Sequence, residues 1–293
     1  MIDIHFIVNP IAGSGNHNFS ETFFHNYFER DTYKVTVKSS KYKGHAIDLT
    51  KESINQEATI IVACGGDGTI NEVASTLVGI NIPMGIIPVG SGNGLASNLK
   101  IPQKINKAIE VVKNNVQTKI DVGCLNNHYF FSNTGFGFDA SVIENYEAST
   151  KRTLYCYLKA TLKSYKYFYN KKVVAIEIDE VETIFNPFLI FISNSNEMGY
   201  GISLTPKALL QDGLLDVVIV PKLNKVKMLF FGISMLFKKP DLLNNVRCYQ
   251  TKNIKLYKKK GDFLQSQMDG EVLKIKDDFV AISLKEKSLL VIV

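Results

Sequence analysis

Hydrophobic and polar positions follow two rhythms along this chain, and the rhythm changes near residue 118. Before it, strand-like and helix-like stretches take turns. "IDIHFIVNP" is a strand ending in the glycine-bearing turn "NPIAGSG", and residues 18–29 carry helical spacing. "YKVTVKSS" alternates with period two, and "HAIDLTKESI" returns to a helical spacing. Ile60, Ile61, Val62 and Ala63 form the continuous apolar run that a parallel strand covered on both faces needs, and Ile70 to Val78 reads as a helix. Met84 to Pro88 repeats the buried-strand pattern, and residues 104–114 are helical. This βαβ series predicts a parallel sheet flanked by helices. After Thr118, strand-like runs at 118–125, 128–134, 172–179, 186–194, 215–220, 252–257, 263–268, 278–284 and 288–293 follow at short spacing. They predict an antiparallel sandwich interrupted by helices over 153–170 and 225–237. The expected fold class is α/β: an N-terminal α/β domain over 1–118, then a C-terminal antiparallel β-sandwich domain over 119–293. The final strand, near 286–293, is assigned to either one.

Glycine-bearing turns leave the strands at residues 13–15, 65–68 and 90–94. In an open α/β sheet such loops line the carboxyl edge, where ligands bind. In "IIVACGGDGTINEV", residues 60–73, Gly65, Gly66 and Gly68 clear side chains from a strand-to-helix turn. The backbone N–H groups of such a turn suit a phosphate. Thr69 is expected as the N-cap, with Glu72 closing a capping box. Asp67 is an anion at an anion site, which calls for a metal ion or a proton to accept. In "PVGSGNGLA", residues 88–96, Gly90, Gly92 and Gly94 open a second set of donors, while Ser91 and Asn93 add polar side chains. Neither loop is a Walker A motif or a Rossmann fingerprint. Three more acidic stretches follow. Asp269 and Glu271 flank Gly270 in "MDGEVL"; Asp212 and Asp216 flank Gly213 in "SLTPKALLQDGLLDVVIV"; and Asp139 closes "NTGFGFD" after Asn133, Gly135 and Gly137. Read locally, each is a hairpin turn or a helix cap.

Composition narrows the class. With 293 residues, 45% hydrophobic and 21% charged, the chain has ample core for a soluble globular protein. Four cysteines without a CxxC pair read as reduced, buried thiols, and the five histidines lack zinc spacing. The N-terminus reads as a strand rather than a leader, and the longest apolar run, Met228 to Phe237, is ten residues, too short to span a bilayer. A cytoplasmic location is expected. The net charge of +6 suits an anionic membrane surface or a nucleotide; nucleic acid is not an expected partner. "KRTLYCYLKATLKSYKYFYNKK", residues 151–172, holds seven basic residues and no acid. On a helix Arg152, Lys159, Lys163 and Lys166 form one stripe, opposite Leu154, Leu158, Thr161, Leu162, Tyr165 and Phe168. That helix either docks on anionic lipid or packs its apolar stripe on the sandwich. "VKMLFFGISMLFKK", residues 226–239, is apolar nearly all round and is expected in the core.

Taken in order, "GGDGTINEV", "P-x-GSGNGLA", "NTGFGFDASV", "P-x-A-x-x-x-DGLLDVVIV" and "DGE" resemble the diacylglycerol kinase catalytic family. The resemblance is to its branch of bacterial soluble lipid kinases, which is also similar to sphingosine and ceramide kinases, and it covers essentially the whole chain. It implies a NAD-kinase-like nucleotide-binding α/β domain, a β-sandwich lipid-substrate domain, and a site in the cleft between them. ATP is expected at Asn9, Ser40, Gly65, Gly66, Asp67, Gly68, Thr69, Asn71, Glu72, Gly90, Ser91, Gly92 and Asn93, with Mg²⁺ at Asp67. The DGE stretch implies a general base at Asp269 or Glu271; sphingosine kinases suggest Asp67 instead. A structural Mg²⁺ maps to Asp212 and main-chain oxygens near Leu209 and Leu214. The implied acceptor is a membrane lipid. Diacylglycerol or a related glycerolipid stands ahead of a sphingoid base, although Gly94 stands where diacylglycerol kinase relatives carry an acid and "GSGN" is closer to sphingosine kinases. A homodimer is compatible with this picture. The alternatives are a NAD kinase-like small-molecule kinase, which shares the GGDGT loop, and a non-catalytic nucleotide or lipid sensor.

Overall fold

Buried β-branched residues build the first unit strand by strand. The computed structural model describes the chain apart from residues 14, 16, 91, 149–153, 168–172, 179, 197–202 and 261–264. Two units result, Met1–Asp121 with Glu286–Val293, and Val122–Lys285. The first contains β1 (Ile2–Val8), α1 (Glu21–His25), β2 (Tyr33–Ser39), α2 (His45–Asn55), β3 (Ile60–Gly65), α3 (Asp67–Leu77), β4 (Met84–Pro88), α4 (Gly94–Asn98) and α5 (Ile105–Asn114). Its strands pair in parallel in the order β2-β1-β3-β4. β3 and β4 are buried at every residue, which is what helices on both faces of a parallel sheet require. The chain leaves β1 toward β2 on one side and later returns to β3 on the other. That reversal puts a crevice at the carboxyl ends of β1 and β3, the usual ligand position in such sheets.

Two local expectations change here. The helix expected over 18–29 is shortened to Glu21–His25, because the chain turns at Asn26 so that Phe24 and Phe28 can both pack on Phe6. α3 starts at Asp67 rather than Ile70, with Gly66 as an N-cap that supplies no side-chain bond. Thr69 therefore lies inside the first turn, and no capping box forms with Glu72.

β5 (Gln117–Leu125) carries the chain into the second unit. There follow β6 (His128–Phe130), β7 (Asn133–Gly137), α6 (Phe138–Glu147), α7 (Leu154–Tyr167), β8 (Val173–Ile178), β9 (Val181–Phe185), β10 (Pro187–Ser193) and β11 (Leu215–Pro221). α8 (Lys225–Leu236), β12 (Arg247–Thr251), β13 (Asn253–Lys260), β14 (Ser266–Met268), β15 (Glu271–Leu273) and β16 (Phe279–Ile292) complete it. One antiparallel sheet runs β12-β11-β10-β7-β14-β15. The other runs β16-β13-β8-β9, again antiparallel. Ile190 and Ile192 of β10 and Val217 and Ile219 of β11 meet Ile176, Leu256 and Ile282 in the core between the sheets. The alternate residues Leu189, Phe191, Val218 and Val220 face the other way, into a second cluster with Phe231 of α8. The last two expected strands are one continuous strand, β16, whose Val291 pairs in parallel with Met84 in the first unit. β9 and β12, absent from the sequence expectation, are terminal members of their sheets. β12 is mostly exposed, so no apolar alternation marks it.

One of the two interrupting helices also departs from expectation. α8 is not a core helix: Phe231 is buried with Met228 and Met235 packed beside it, while Val226, Leu229, Phe230, Ile233 and Phe237 are exposed. On α7 the side facing α6 carries the small residues Ala160 and Ser164, and Leu158 and Leu162 point to solvent. Close helix–helix approach favours the small residues, so Leu158 and Leu162 do not pack, while Tyr165 of the same stripe does. Lys151, Arg152, Phe168, Lys171 and Lys172 of that expected stretch lie outside the described residues. The four cysteines are free thiols; Cys64 and Cys124 are buried, but Cys156 is half-buried and Cys248 is exposed, the latter on the edge strand β12.

Candidate active site

At the carboxyl ends of β2, β1 and β3, three loops gather. Ser40 donates its N–H to the Val8 carbonyl (2.7 Å), and Asn9 donates its N–H to the Cys64 carbonyl (2.9 Å). The Asn9 amide then reaches Thr69 Oγ1 at 3.2 Å, tying the β1 loop to the first turn of α3. In that turn Asp67 and Gly68 are exposed. The first N–H groups of a helix have no intrahelical partner and sit at its positive end, so this exposed start is an anion site.

Asp67 joins this turn to the second loop. Its two carboxylate oxygens accept the N–H groups of Asn93 (2.8 Å) and Gly94 (2.6 Å), at the start of α4. Asn93, buried and at φ 55°, holds its own loop through Gly90: Gly90 N–H donates to Asn93 Oδ1 (3.1 Å), and Asn93 Nδ2 donates to the Gly90 carbonyl (2.6 Å). The two glycine loops touch at Gly66 and Gly90, where a Cβ added to Gly90 would come 2.6 Å from the Gly66 Cα. A side chain there would force the loops apart. Gly92 belongs to the same loop; Ser91 lies outside the described residues.

Two of the expected nucleotide residues are engaged within the unit. Asn71 Oδ1 accepts the Ser75 hydroxyl at 3.1 Å. Glu72 reaches across to α2, whose N-cap Gly44 has no side chain to offer, and accepts the N–H groups of Gly44 (2.8 Å) and Ala46 (3.2 Å). Glu72 is therefore a cap supplied from another helix. Glu72→Ala is expected to cost about 1 kcal/mol of stability, the usual loss for an N-cap. A denaturation midpoint should fall while nucleotide affinity stays within about twofold of wild type, since about 0.4 kcal/mol is the most that change represents.

In the second unit, Asp269 and Gly270 form the two-residue turn of the β14–β15 hairpin, at φ 48° and 81°. Asp269 is not solvated as a hairpin acid would be. Its Oδ2 accepts the Phe131 N–H (2.9 Å), and Oδ1 accepts those of Ser132 (2.8 Å) and Asn133 (3.0 Å). Glu271, two residues on, is exposed.

Behind this turn lies a buried network that sequence reading did not assign to the site. Gln267 Nε2 donates to both Asn133 Oδ1 (2.8 Å) and Asp139 Oδ2 (2.7 Å), and its side-chain Oε1 accepts the Gly270 N–H (3.0 Å). Gly135 makes room for it: a Cβ there would sit 2.0 Å from Asp139 Oδ2. Burial pushes the Asp139 carboxyl up to about 6, with the Gln267 hydrogen bond opposing it in part. The available signal was a carboxylate directly after Gly-Phe-Gly-Phe, in a strand-to-helix junction. An acid whose folded value is raised favours the protonated native state. Stability is accordingly lost as pH rises from about 4 through about 6, by about 3 kcal/mol in total. Asp139→Asn should flatten the melting temperature between pH 4 and pH 7 and leave the variant the more stable form above about pH 6. Parallel melting curves for the two proteins would remove Asp139 from this role.

Asp212 accepts the Leu214 N–H at 3.1 Å, and Leu209 is exposed. Nearby, Asp216 has a buried oxygen, Oδ2, without a hydrogen-bond partner. Burial above all, with the Asp212 charge adding to it, pushes the Asp216 carboxyl up to about 6. Among the described residues no group of three or more His, Cys, Asp or Glu side chains gathers to hold a metal. Two carboxylates, one with an oxygen buried and unpartnered, nonetheless fit a hard cation that completes its shell with carbonyls and water.

Residues 3–125 match the model of the diacylglycerol kinase catalytic domain, and residues 132–282 match that of the YegS C-terminal NAD kinase beta sandwich-like domain. Diacylglycerol kinase of Bacillus subtilis is 30% identical over 250 residues, covering 83% of this chain and 81% of that protein. Diacylglycerol kinase of Staphylococcus haemolyticus is 29% identical over 200 residues, 67% of this chain and 60% of that one. In fold, the chain is similar to the crystal structure of a diacylglycerol kinase from Bacillus anthracis, with a TM-score of 0.75, 21% identity and coverage of 99% and 96%. The chain belongs to the diacylglycerol kinase family. Membership makes it a lipid-kinase-type protein, and a kinase family implies ATP as the phosphoryl donor.

Proposed function

We propose that this protein transfers the γ-phosphoryl group of ATP to a hydroxyl of a membrane lipid, diacylglycerol or a related glycerolipid before a sphingoid base. The observation that carries the reading is the exposed start of α3 locked to the second glycine loop by the two oxygens of Asp67. Phosphoryl transfer needs mostly positioning and charge neutralisation, and two glycine loops fixed to one another provide the first. Bound Mg²⁺ would supply the second by neutralising phosphate charge, with Asp67 the residue that would hold it; a separate, structural ion would sit at Asp212, with Asp216 beside it, in the second unit. Backbone N–H groups at the start of α3 bind phosphate, and Asn9 keeps Thr69 in register with the β1 loop. Glu271 takes the proton of the lipid hydroxyl. Asp269, whose oxygens already accept three N–H groups, anchors the turn on which Glu271 follows.

An anionic membrane surface is the proposed partner during turnover, met in part by Lys159, Lys163 and Lys166 of α7, beside the exposed Tyr155, Leu158 and Leu162. No helix among the described residues is long and apolar enough to cross a membrane. The test is labelled ATP and Mg²⁺ with diacylglycerol, a sphingoid base or NAD, the lipids in mixed micelles at equal surface concentration. Label in diacylglycerol supports the reading. A sphingoid base preferred about tenfold or more in kcat/KM, roughly 1.4 kcal/mol in the transition state, reverses the order of acceptors. Label in NAD alone, or none with ATP bound, replaces the reading with one of its rivals.

A further inference from the structure

The outward face of α8 has no use in the site described above. Val226, Leu229, Phe230, Ile233 and Phe237 recur at helical spacing on one side, and they are 62%, 66%, 59%, 41% and 71% exposed. Their inward counterparts, Met228, Phe231 and Met235, already cover the outer surface of β10 and β11, so the exposed row is surplus to the core. Single exposed apolar residues are ordinary, but a contiguous row of five that includes two phenylalanines marks an interaction surface. Lysines frame it at both ends: Lys222 and Lys227 before the middle of the helix, Lys238 and Lys239 after it. No Asp or Glu occurs from 221 to 239.

We propose that α8 lies flat in the surface of an anionic bilayer, its outward row among the acyl chains and its flanking lysines on the headgroups. Amphipathic helices of this kind bury one apolar face at the headgroup boundary while cationic side chains stay with the phosphates. Charge decides between a bilayer and a second copy of this chain. Two such faces paired in either direction would bring lysine ends against lysine ends, whereas anionic lipid complements both ends at once. The proposal extends the lipid-kinase reading, and rests on it for the choice of a bilayer as partner. Catalysis is not needed to test it.

The chain has no tryptophan, so Phe230→Trp places a single reporter on this face. With vesicles of phosphatidylcholine and phosphatidylglycerol, its emission should shift to the blue and be quenched by brominated acyl chains. Added salt should weaken the response, as should Lys238→Gln with Lys239→Gln. In wild-type background, Leu229→Ser with Phe230→Ser should lower vesicle partition at least about tenfold, since two large apolar side chains leave the buried area. Both positions are exposed, so the melting temperature should hold. Activity on lipid dispersed in detergent micelles should survive the double substitution, while activity on vesicles falls. Emission that stays unshifted, or undiminished partition of the double variant, overturns the proposal. A dimer that the double variant loses, without any vesicle binding by wild type, overturns it in favour of self-association. Vesicle binding lost with the double variant in a protein that phosphorylates no lipid keeps the docking surface and sinks the lipid-kinase reading instead.

Discussion

Asp67→Asn should lower the turnover of lipid phosphorylation by at least about 100-fold, the scale of removing one preorganised electrostatic group. The asparagine keeps one oxygen for either Asn93 or Gly94 but turns an amide N–H₂ toward the other N–H. One short tether is lost and a donor meets a donor, so the second glycine loop drifts from the start of α3. The stability cost should stay near 1 kcal/mol, the net worth of one hydrogen bond, because the loop is at the surface. Turnover and thermal melting measured on the same preparation check this. A variant keeping more than about a tenth of wild-type activity would mean that neither the charge nor the tether matters to transfer.

The two acids of the DGE turn should separate cleanly by experiment. Asp269→Ala strands the N–H groups of Phe131, Ser132 and Asn133, each worth about 1–3 kcal/mol when left unsatisfied. A loss of at least about 3 kcal/mol is expected, with activity falling because the fold falls. Asp269→Asn, which retains an acceptor and suits the left-handed backbone at φ 48°, should recover much of that stability. Glu271→Gln should leave the melt unchanged and reduce kcat by about 100-fold or more, the contribution of a general base. The reverse pattern, an active Glu271→Gln beside a folded but inactive Asp269→Asn, would make Asp269 the base.

What the sequence disclosed divides along the reach of the interactions involved. The βα alternation of the first unit is written in local periodicity, and its glycine turns announce themselves because nothing else tolerates such close backbone approach. α3 starts three residues earlier than its periodicity predicts because Gly66 caps it without a side chain, so Asp-Gly-Thr looks like a turn. Glu72 stood in the right place for a capping box, yet its partners are 26 and 28 residues upstream. The Asp269 anchor spans more than 130 residues and has no local trace at all. α8 failed for another reason. A helix apolar nearly all round contains no polar face to say which side turns outward, and only the sheet beneath it decides.

The path of β16 bears on how the molecule is made. Its final residues belong to the first unit: Val291 lies beside Met84 on β4, Ser288 accepts the Gly79 N–H (2.7 Å), and Val293 donates to Val116 (2.8 Å). A ribosome must therefore build all of Val122–Lys285 after Asp121 has emerged before that strand can arrive, on the order of ten seconds at ordinary elongation rates. For that interval β4 waits with one edge unpaired, a template for pairing with the wrong chain. A truncated nascent product, or an expression fragment cut after Asp121, would carry that open edge permanently, so soluble recovery of the nucleotide-binding half calls for grafting Glu286–Val293 back onto it.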